Sequence, residues 1–108
     1  MNKGELWLID LPPKKGSEQK GTRPCIILAN TGTNLITVIP LTSNLQALRF
    51  PYVLEIKSSE KNKLDNDSIA LMFQIQSVDK RRIVKQIGTL EKSDIFEVDK
   101  SLRHMLKL

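Results

Sequence analysis

The sequence predicts a small, mainly β (α+β) domain: a β barrel with helix cover. Three observations carry this. Apolar runs of strand length recur along the chain, each ended by Pro, Gly, Asn or Asp. The apolar spacing then changes from strand-like to helical near the C-terminus. Finally, 108 residues with no composition break or repeat amount to one domain, residues 1–108, large enough to bury one core. Many short strands with a single terminal helix fit a barrel better than a layered α/β sheet.

In chain order, Glu5–Leu11 is rich in strand formers and stops at Pro12-Pro13. Trp7, flanked by apolar residues, reads as a core anchor. A polar loop, Gly16-Ser17-Glu18-Gln19-Lys20-Gly21-Thr22, leads into a second strand from Arg23 to Asn30. Thr31-Gly32-Thr33-Asn34 has turn chemistry, so strands two and three (Leu35–Ile39) form a hairpin. Pro40–Asn44 is expected to leave the sheet, and Leu45–Leu48 to form a short helical turn. Tyr52–Ile56 is a fourth strand and Ser58–Asp67 a charged, flexible loop. A fifth strand runs from Ser68 through Val78, and its period of two puts Gln74 and Gln76 on one face. Arg82–Ile87 is the sixth, closed by Gly88. Ile95, Val98, Leu102, Met105 and Leu106 then follow helical spacing. Ser93 is the expected N-cap, with Asp94 in the first turn and Arg103 and Lys107 near the end.

Composition narrows the chemistry. A net charge of +5 favours an anionic partner, nucleic acid or an acidic protein. Lys14, Lys15, Lys20 and Arg23 form one basic cluster, and Lys80, Arg81, Arg82 and Lys85 a second; each is either a binding surface or a solvated one. No apolar run approaches the roughly 20 residues of a membrane span. The N-terminus lacks a signal-peptide layout and Cys25 is the one cysteine, so the expected compartment is the cytoplasm. Cys25 itself reads as a buried small hydrophobe. His104 is the one histidine, which removes two-histidine acid–base chemistry and makes a zinc site improbable, so no metal and no cofactor are expected. Asp65-Asn66-Asp67 lacks the glycine and glutamate of a calcium loop and reads as a turn. No phosphate-binding glycine loop or nucleophile elbow is present.

Glu18, Arg23 and Thr42, with amides and cations around them, make a set that suits a phosphate. An arginine fork binds two phosphate oxygens and a hydroxyl donates to a third. In RNA the nucleophile is the substrate's own 2′-hydroxyl, so the protein need only position it, move protons and stabilise charge. The plainer readings are a Glu18–Arg23 surface ion pair and a Thr42 that caps the helical turn after it.

At these residues the sequence resembles the MazF/PemK toxins, the ribonuclease halves of bacterial toxin–antitoxin pairs. The resemblance rests on Gly4-Glu5-Leu6-Trp7, on Glu18-Gln19-Lys20-Gly21-Thr22-Arg23-Pro24, and on Pro40-Leu41-Thr42-Ser43. Asp67-Ser68-Ile69-Ala70, Gln74-Ile75, Asp79-Lys80-Arg81-Arg82-Ile83 and Ile87-Gly88-Thr89-Leu90 extend it over nearly the whole chain. It implies an SH3-like β barrel acting as a homodimer. It also implies metal-independent cleavage of single-stranded RNA (mRNA) at short sequences, leaving a 2′,3′-cyclic phosphate and a 5′-hydroxyl. The family's motif arginine falls on Arg23 and its motif threonine on Thr42. Glu18 is then the candidate base for the 2′-hydroxyl. A guanidinium does not readily give up its proton, so Arg23 serves better as a charge than as an acid. Lys14, Lys15, Ser17, Gln19, Lys20, Ser43, Gln74, Gln76, Arg81 and Arg82 are the RNA-contact candidates, on phosphates or base edges. Two departures stand out: Gln76 where many relatives carry a basic residue, and Leu8 in place of a frequent aromatic.

The resemblance further implies a cognate acidic antitoxin that covers the basic surface with an extended segment. The alternative on the same barrel is a non-catalytic toxin that binds RNA or a protein such as a topoisomerase. Glu18, Arg23 and Thr42 together argue for cleavage, since a pure binder does not need all three.

Overall fold

A computed structural model describes residues 1–13 and 21–108. The described residues form seven strands: β1 (Glu5–Leu11), β2 (Gly21–Ala29), β3 (Leu35–Thr42), β4 (Val53–Ile56), β5 (Ser68–Leu71), β6 (Gln76–Asp79) and β7 (Ile83–Thr89). One helix, α1 (Lys92–Leu106), follows, and 3₁₀ turns occupy Leu45–Arg49, Met72–Gln74 and Lys80–Arg82. The strands form one antiparallel sheet in the order β4-β5-β3-β2-β1-β7, with β6 also on β3. The sheet is barrel-like, but β4 and β7 do not pair to close it.

Strand alternation gives the sheet two buried faces. On β1 and β2, Leu6 and Ile26 point into one cluster with Ile39, Leu41, Ile56 and Met72. Ile9, Leu11, Cys25 and Ile27 point into the other with Ile36, Val38 and Val78. The helix covers the first cluster through Val98 and Leu102, with Ile95 and Met105 packed beside them. Leu106, assigned to that stripe by spacing, is half exposed instead, because it falls in the last turn beyond the sheet. Trp7 is only partly buried: it packs against the second cluster while its Nε1 donates to Glu5 Oε1 at 2.9 Å. The Glu-x-Trp spacing is therefore a same-face pair, since residues two apart on a strand share a side. Gly4 precedes it at φ +91°, and any Cβ there would lie 2.6 Å from Ile95 Cδ1. The positive φ favours glycine, and a larger residue would also have to push the Ile95 tip aside.

Four expectations need correction. The segment Pro40–Thr42 does not leave the sheet: β3 runs to Thr42, pairing Pro40 with Cys25 and Leu41 with Ala70. The presumed continuous strand 68–78 is split. On β3, Leu41 pairs with Ala70 but Val38 pairs with Gln76, a register slip of three residues taken up by the 3₁₀ turn Met72–Gln74. Pro40 lies opposite that gap, where its missing N–H costs the ladder nothing. Gln74 and Gln76 consequently do not share a face by strand alternation. Thirdly, α1 starts at Lys92 with Glu91, not Ser93, in the cap position. The Glu91 carboxylate accepts from Ser59 Oγ at 2.9 Å, tying the helix start to the 58–67 loop. Gly88, expected to end the last strand, lies within β7 and pairs with Leu6.

Candidate RNA-cleavage site

Arg23 is the third residue of β2 and Thr42 the last of β3. Although 19 positions apart in sequence, they line one cleft of about 220 Å³. Thr22, Pro24 and Leu41 share it from the sheet with Ser43 just past β3, and Leu64, Asp65 and Asn66 of the loop before β5 close it with Ser68 at the start of β5. The β2–β3 pairing brings the two strand ends together, so the sheet itself fixes the arginine and the hydroxyl. Pro24 follows Arg23 and holds it extended.

Thr42 is buried, with 8% of its surface exposed, and its Oγ1 accepts from Asn44 N–H at 3.2 Å. The cap of the following turn is Asn44, whose Oδ1 accepts from Gln46 N–H at 3.1 Å. Thr42 is thus not the cap residue. Its bond to Asn44 pins the hydroxyl oxygen and leaves the hydroxyl proton to donate. Thr42 also forms the wall towards a smaller depression of about 90 Å³, lined by Asn44, Gln46, Arg49, Phe50 and Gln74 among others. Gln74 therefore stands next to the cleft, one depression away.

Other sequence candidates lie elsewhere. Gln76 sits in β6 opposite Val38; its amide donates to Gln74 O at 3.2 Å, and its Oε1 is buried with no partner among the described residues. Arg81 makes a two-point contact with Asp79, at 3.1 and 3.0 Å, and Arg82 donates to Asp10 O at 3.4 Å. Neither arginine lines the cleft. The Arg81 guanidinium, through its side-chain hydrogen bond, holds the Asp79 carboxyl below its ordinary value. Glu18, Lys14, Lys15, Ser17, Gln19 and Lys20 lie outside the described residues. His104 packs its ring 5.7 Å from Tyr52 in the last helical turn and lines no part of the cleft. Burial pushes the Cys25 thiol up to about 12, with the nearby Arg23 charge acting against it, so it is no nucleophile. Among the described residues, no group of three or more His, Cys, Asp or Glu side chains could hold a metal ion.

The sequence reading missed the far wall. Leu64, Asp65 and Asn66 belong to a loop read as merely charged and flexible. That loop is instead built on Asn62, fully buried among polar neighbours. Its Oδ1 accepts from Ser59 N–H and Leu64 N–H at 2.9 and 3.0 Å, and its Nδ2 donates to Lys57 O at 2.8 Å.

Residues 2–106 match the family model of PemK-like, MazF-like toxins of type II toxin–antitoxin systems. The chain belongs to that family. A curated relative, Endoribonuclease MazF of Staphylococcus epidermidis, is 36% identical over 106 residues, covering 94% of this chain and 88% of that protein. The crystal structure of MazF from Deinococcus radiodurans superposes with a TM-score of 0.82 at 26% identity, over 100% of this chain and 97% of that one. An endoribonuclease from Mycobacterial species, solved in complex with its cognate antitoxin, shares the fold: TM-score 0.74 at 17% identity, over 98% and 94% of the two chains. The stretches Gly21-Thr22-Arg23-Pro24 and Pro40-Leu41-Thr42-Ser43, on which the sequence resemblance rests in part, are the two strand ends that meet in the cleft.

Proposed function

We propose that this toxin is a metal-independent endoribonuclease that cuts single-stranded RNA at short sequences through attack of the substrate 2′-hydroxyl. The observation that carries the reading is the meeting of Arg23 and Thr42 in one cleft of a MazF-family fold. In the reaction, the 2′-oxygen bonds to phosphorus and the bond from phosphorus to the 5′-oxygen breaks. A 2′,3′-cyclic phosphate and a 5′-hydroxyl result. Glu18 takes the 2′-hydroxyl proton, and the departing 5′-oxygen takes its proton from solvent water. Arg23 stabilises the charge that builds on the non-bridging oxygens, and Thr42 donates to one of them. Both donors are set by strands, so little reorganisation is needed at the moment of reaction.

A second copy of the chain is the proposed partner in solution. Leu45, Leu48, Phe50 and Phe73 are each between 39% and 54% exposed, and the two phenylalanine rings lie 5.6 Å apart. An apolar group of this kind marks an interaction surface. Leu48→Asp should convert a species of two 12.3 kDa chains into one by light scattering. A cytoplasmic location and a cognate acidic antitoxin, drawn to the +5 chain, complete the reading.

The decisive experiment incubates the antitoxin-free protein with mixed-sequence single-stranded RNA in excess chelator and maps the ends. Discrete cuts ending in cyclic phosphates, absent with Arg23→Ala, are expected. Intact RNA with folded protein would move the reading to a binding toxin.

A further inference from the structure

A second and larger depression, of about 450 Å³, adjoins the Arg23–Thr42 cleft. The two share Pro24, Leu64 and Asp65, so they form one continuous trench. Strand register builds its floor: Leu8 of β1 pairs with Pro24 on one side and with Lys85 of β7 on the other. Ile87 and Leu64 add apolar surface, Gln86 an amide, and Lys63 a second cation from the turn that Asn62 holds. Lys63 and Lys85 are exposed, and neither has a salt bridge among the described residues.

We infer that this depression is the subsite for RNA nucleotides flanking the cut phosphate on one side, with Lys63 and Lys85 as its phosphate contacts. The inference rests on the ribonuclease reading above. The chemistry fits a nucleotide in each part. An apolar floor of Leu8, Pro24 and Ile87 accepts a base face, and two lysines neutralise backbone charge. Asp65, on the rim shared by the two clefts, repels phosphate. The backbone therefore runs on the lysine side and the base turns towards Asp65. These lysines lie beyond the residues that act at the cut phosphate. They hold substrate and transition state equally, so they govern KM and leave kcat alone.

The test uses the whole protein and a fluorogenic oligoribonucleotide centred on a mapped cut site, with several nucleotides on each side. The variant is Lys63→Gln with Lys85→Gln. Each phosphate contact on a single strand contributes about 0.7 to the salt slope, so two contribute about 1.4. Between about 50 and about 200 mM salt, wild type should lose roughly sevenfold more kcat/KM than the variant. The variant's KM at low salt should rise while kcat at saturation stays unchanged. Truncating the substrate on one side, and not on the other, should abolish the difference between the two proteins. Equal salt slopes would overturn the subsite. So would a difference that survives truncation on each side in turn, which would mark a diffuse field. A fall in kcat with KM unchanged would also overturn it. Failure of the ribonuclease reading looks different: wild type itself would cut nothing.

Discussion

Replacing Asn62 by Ala tests whether the far wall of the cleft is a built structure. Asn62 is completely buried and its carboxamide makes three hydrogen bonds, to Ser59 N–H, Leu64 N–H and Lys57 O. At about 1 kcal/mol net for each, the variant should lose about 3 kcal/mol of stability. For a domain of this size that corresponds to a fall of roughly 12–24 °C in Tm. Urea unfolding at equilibrium measures it, and the midpoint should move with m unchanged, because the exposed surface hardly alters. Gly88→Ala strikes the same turn from β7: a Cβ there would meet Asn62 O at 2.5 Å and Lys61 O at 2.7 Å. Its expected cost is about 1–3 kcal/mol, since the contact is backbone that cannot swing aside. As both changes displace one turn, the double variant should lose less than the sum of the two. The cleft reads out the same event. With Leu64 and Asp65 displaced, the Asn62→Ala protein should bind RNA more weakly at temperatures where it is still folded. A stability loss under about 1 kcal/mol, or strict additivity with Gly88→Ala, would refute the reasoning.

Thr42→Val keeps the shape and removes the hydroxyl, so RNA cleavage should fall by roughly 10²-fold or more, as for loss of one transition-state donor. Thr42→Ser should retain most of the rate, and single-turnover kinetics on one oligonucleotide compares the two. The Glu5 carboxyl lies below its ordinary value of 4.5, first because Trp7 donates to it. A lowered folded value means its contribution is whole above pH 4.5 and is lost as pH falls through the folded value. The Tm gap between wild type and Glu5→Gln should accordingly be constant at neutral pH and shrink below that point, followed by Trp7 fluorescence. Cys25, buried and pushed up to about 12, should resist a thiol reagent at pH 8 in the native protein and react once urea unfolds it. Rapid native reaction would contradict its place in the core.

Sequence patterns revealed the parts of this protein whose cause is local. The β2–β3 hairpin, the 3₁₀ turn Leu45–Arg49 and the helix stripe Val98–Leu102 each follow from periodicity and turn residues within a few positions. What escaped was set by distant partners. Nothing between Ser68 and Val78 signals a break, because the break exists to reconcile two registers on β3. Asn62 is one polar letter among Glu60, Lys61, Lys63 and Asp65, and only the enclosing backbone shows that it is the buried one. Similarly, Glu91 rather than Ser93 stands at the helix start, and its carboxylate bonds not to the helix but to Ser59, 32 residues earlier. Arg23 and Thr42 were legible as chemistry, by residue type and motif. Their meeting needed the sheet.

The same contrast explains how the cleft can be both stiff and discriminating. One wall consists of strand ends, where Arg23 and Thr42 are held by a ladder and by Asn44 N–H. The other wall is largely a loop, centred on the buried Asn62 carboxamide, tied to the helix start by Ser59 Oγ–Glu91 and fastened to β7 through Thr89 N–H to Lys61 O at 3.1 Å. In the proposed mechanism the cleavage chemistry depends on the first wall, since misplacing a phosphate donor by about 1 Å can cost roughly 10²-fold. The proposed recognition of flanking nucleotides would rest on the second, which contributes Lys63, Leu64 and Asp65 to the trench. Substitutions in residues 60–66 that spare Asn62 should therefore change which RNAs are cut and leave the maximal rate intact. Substitutions at either strand end should change the rate for every RNA alike. A 60–66 variant that lowered kcat equally across many cut sites, with Tm preserved, would show that the loop belongs to the chemistry after all.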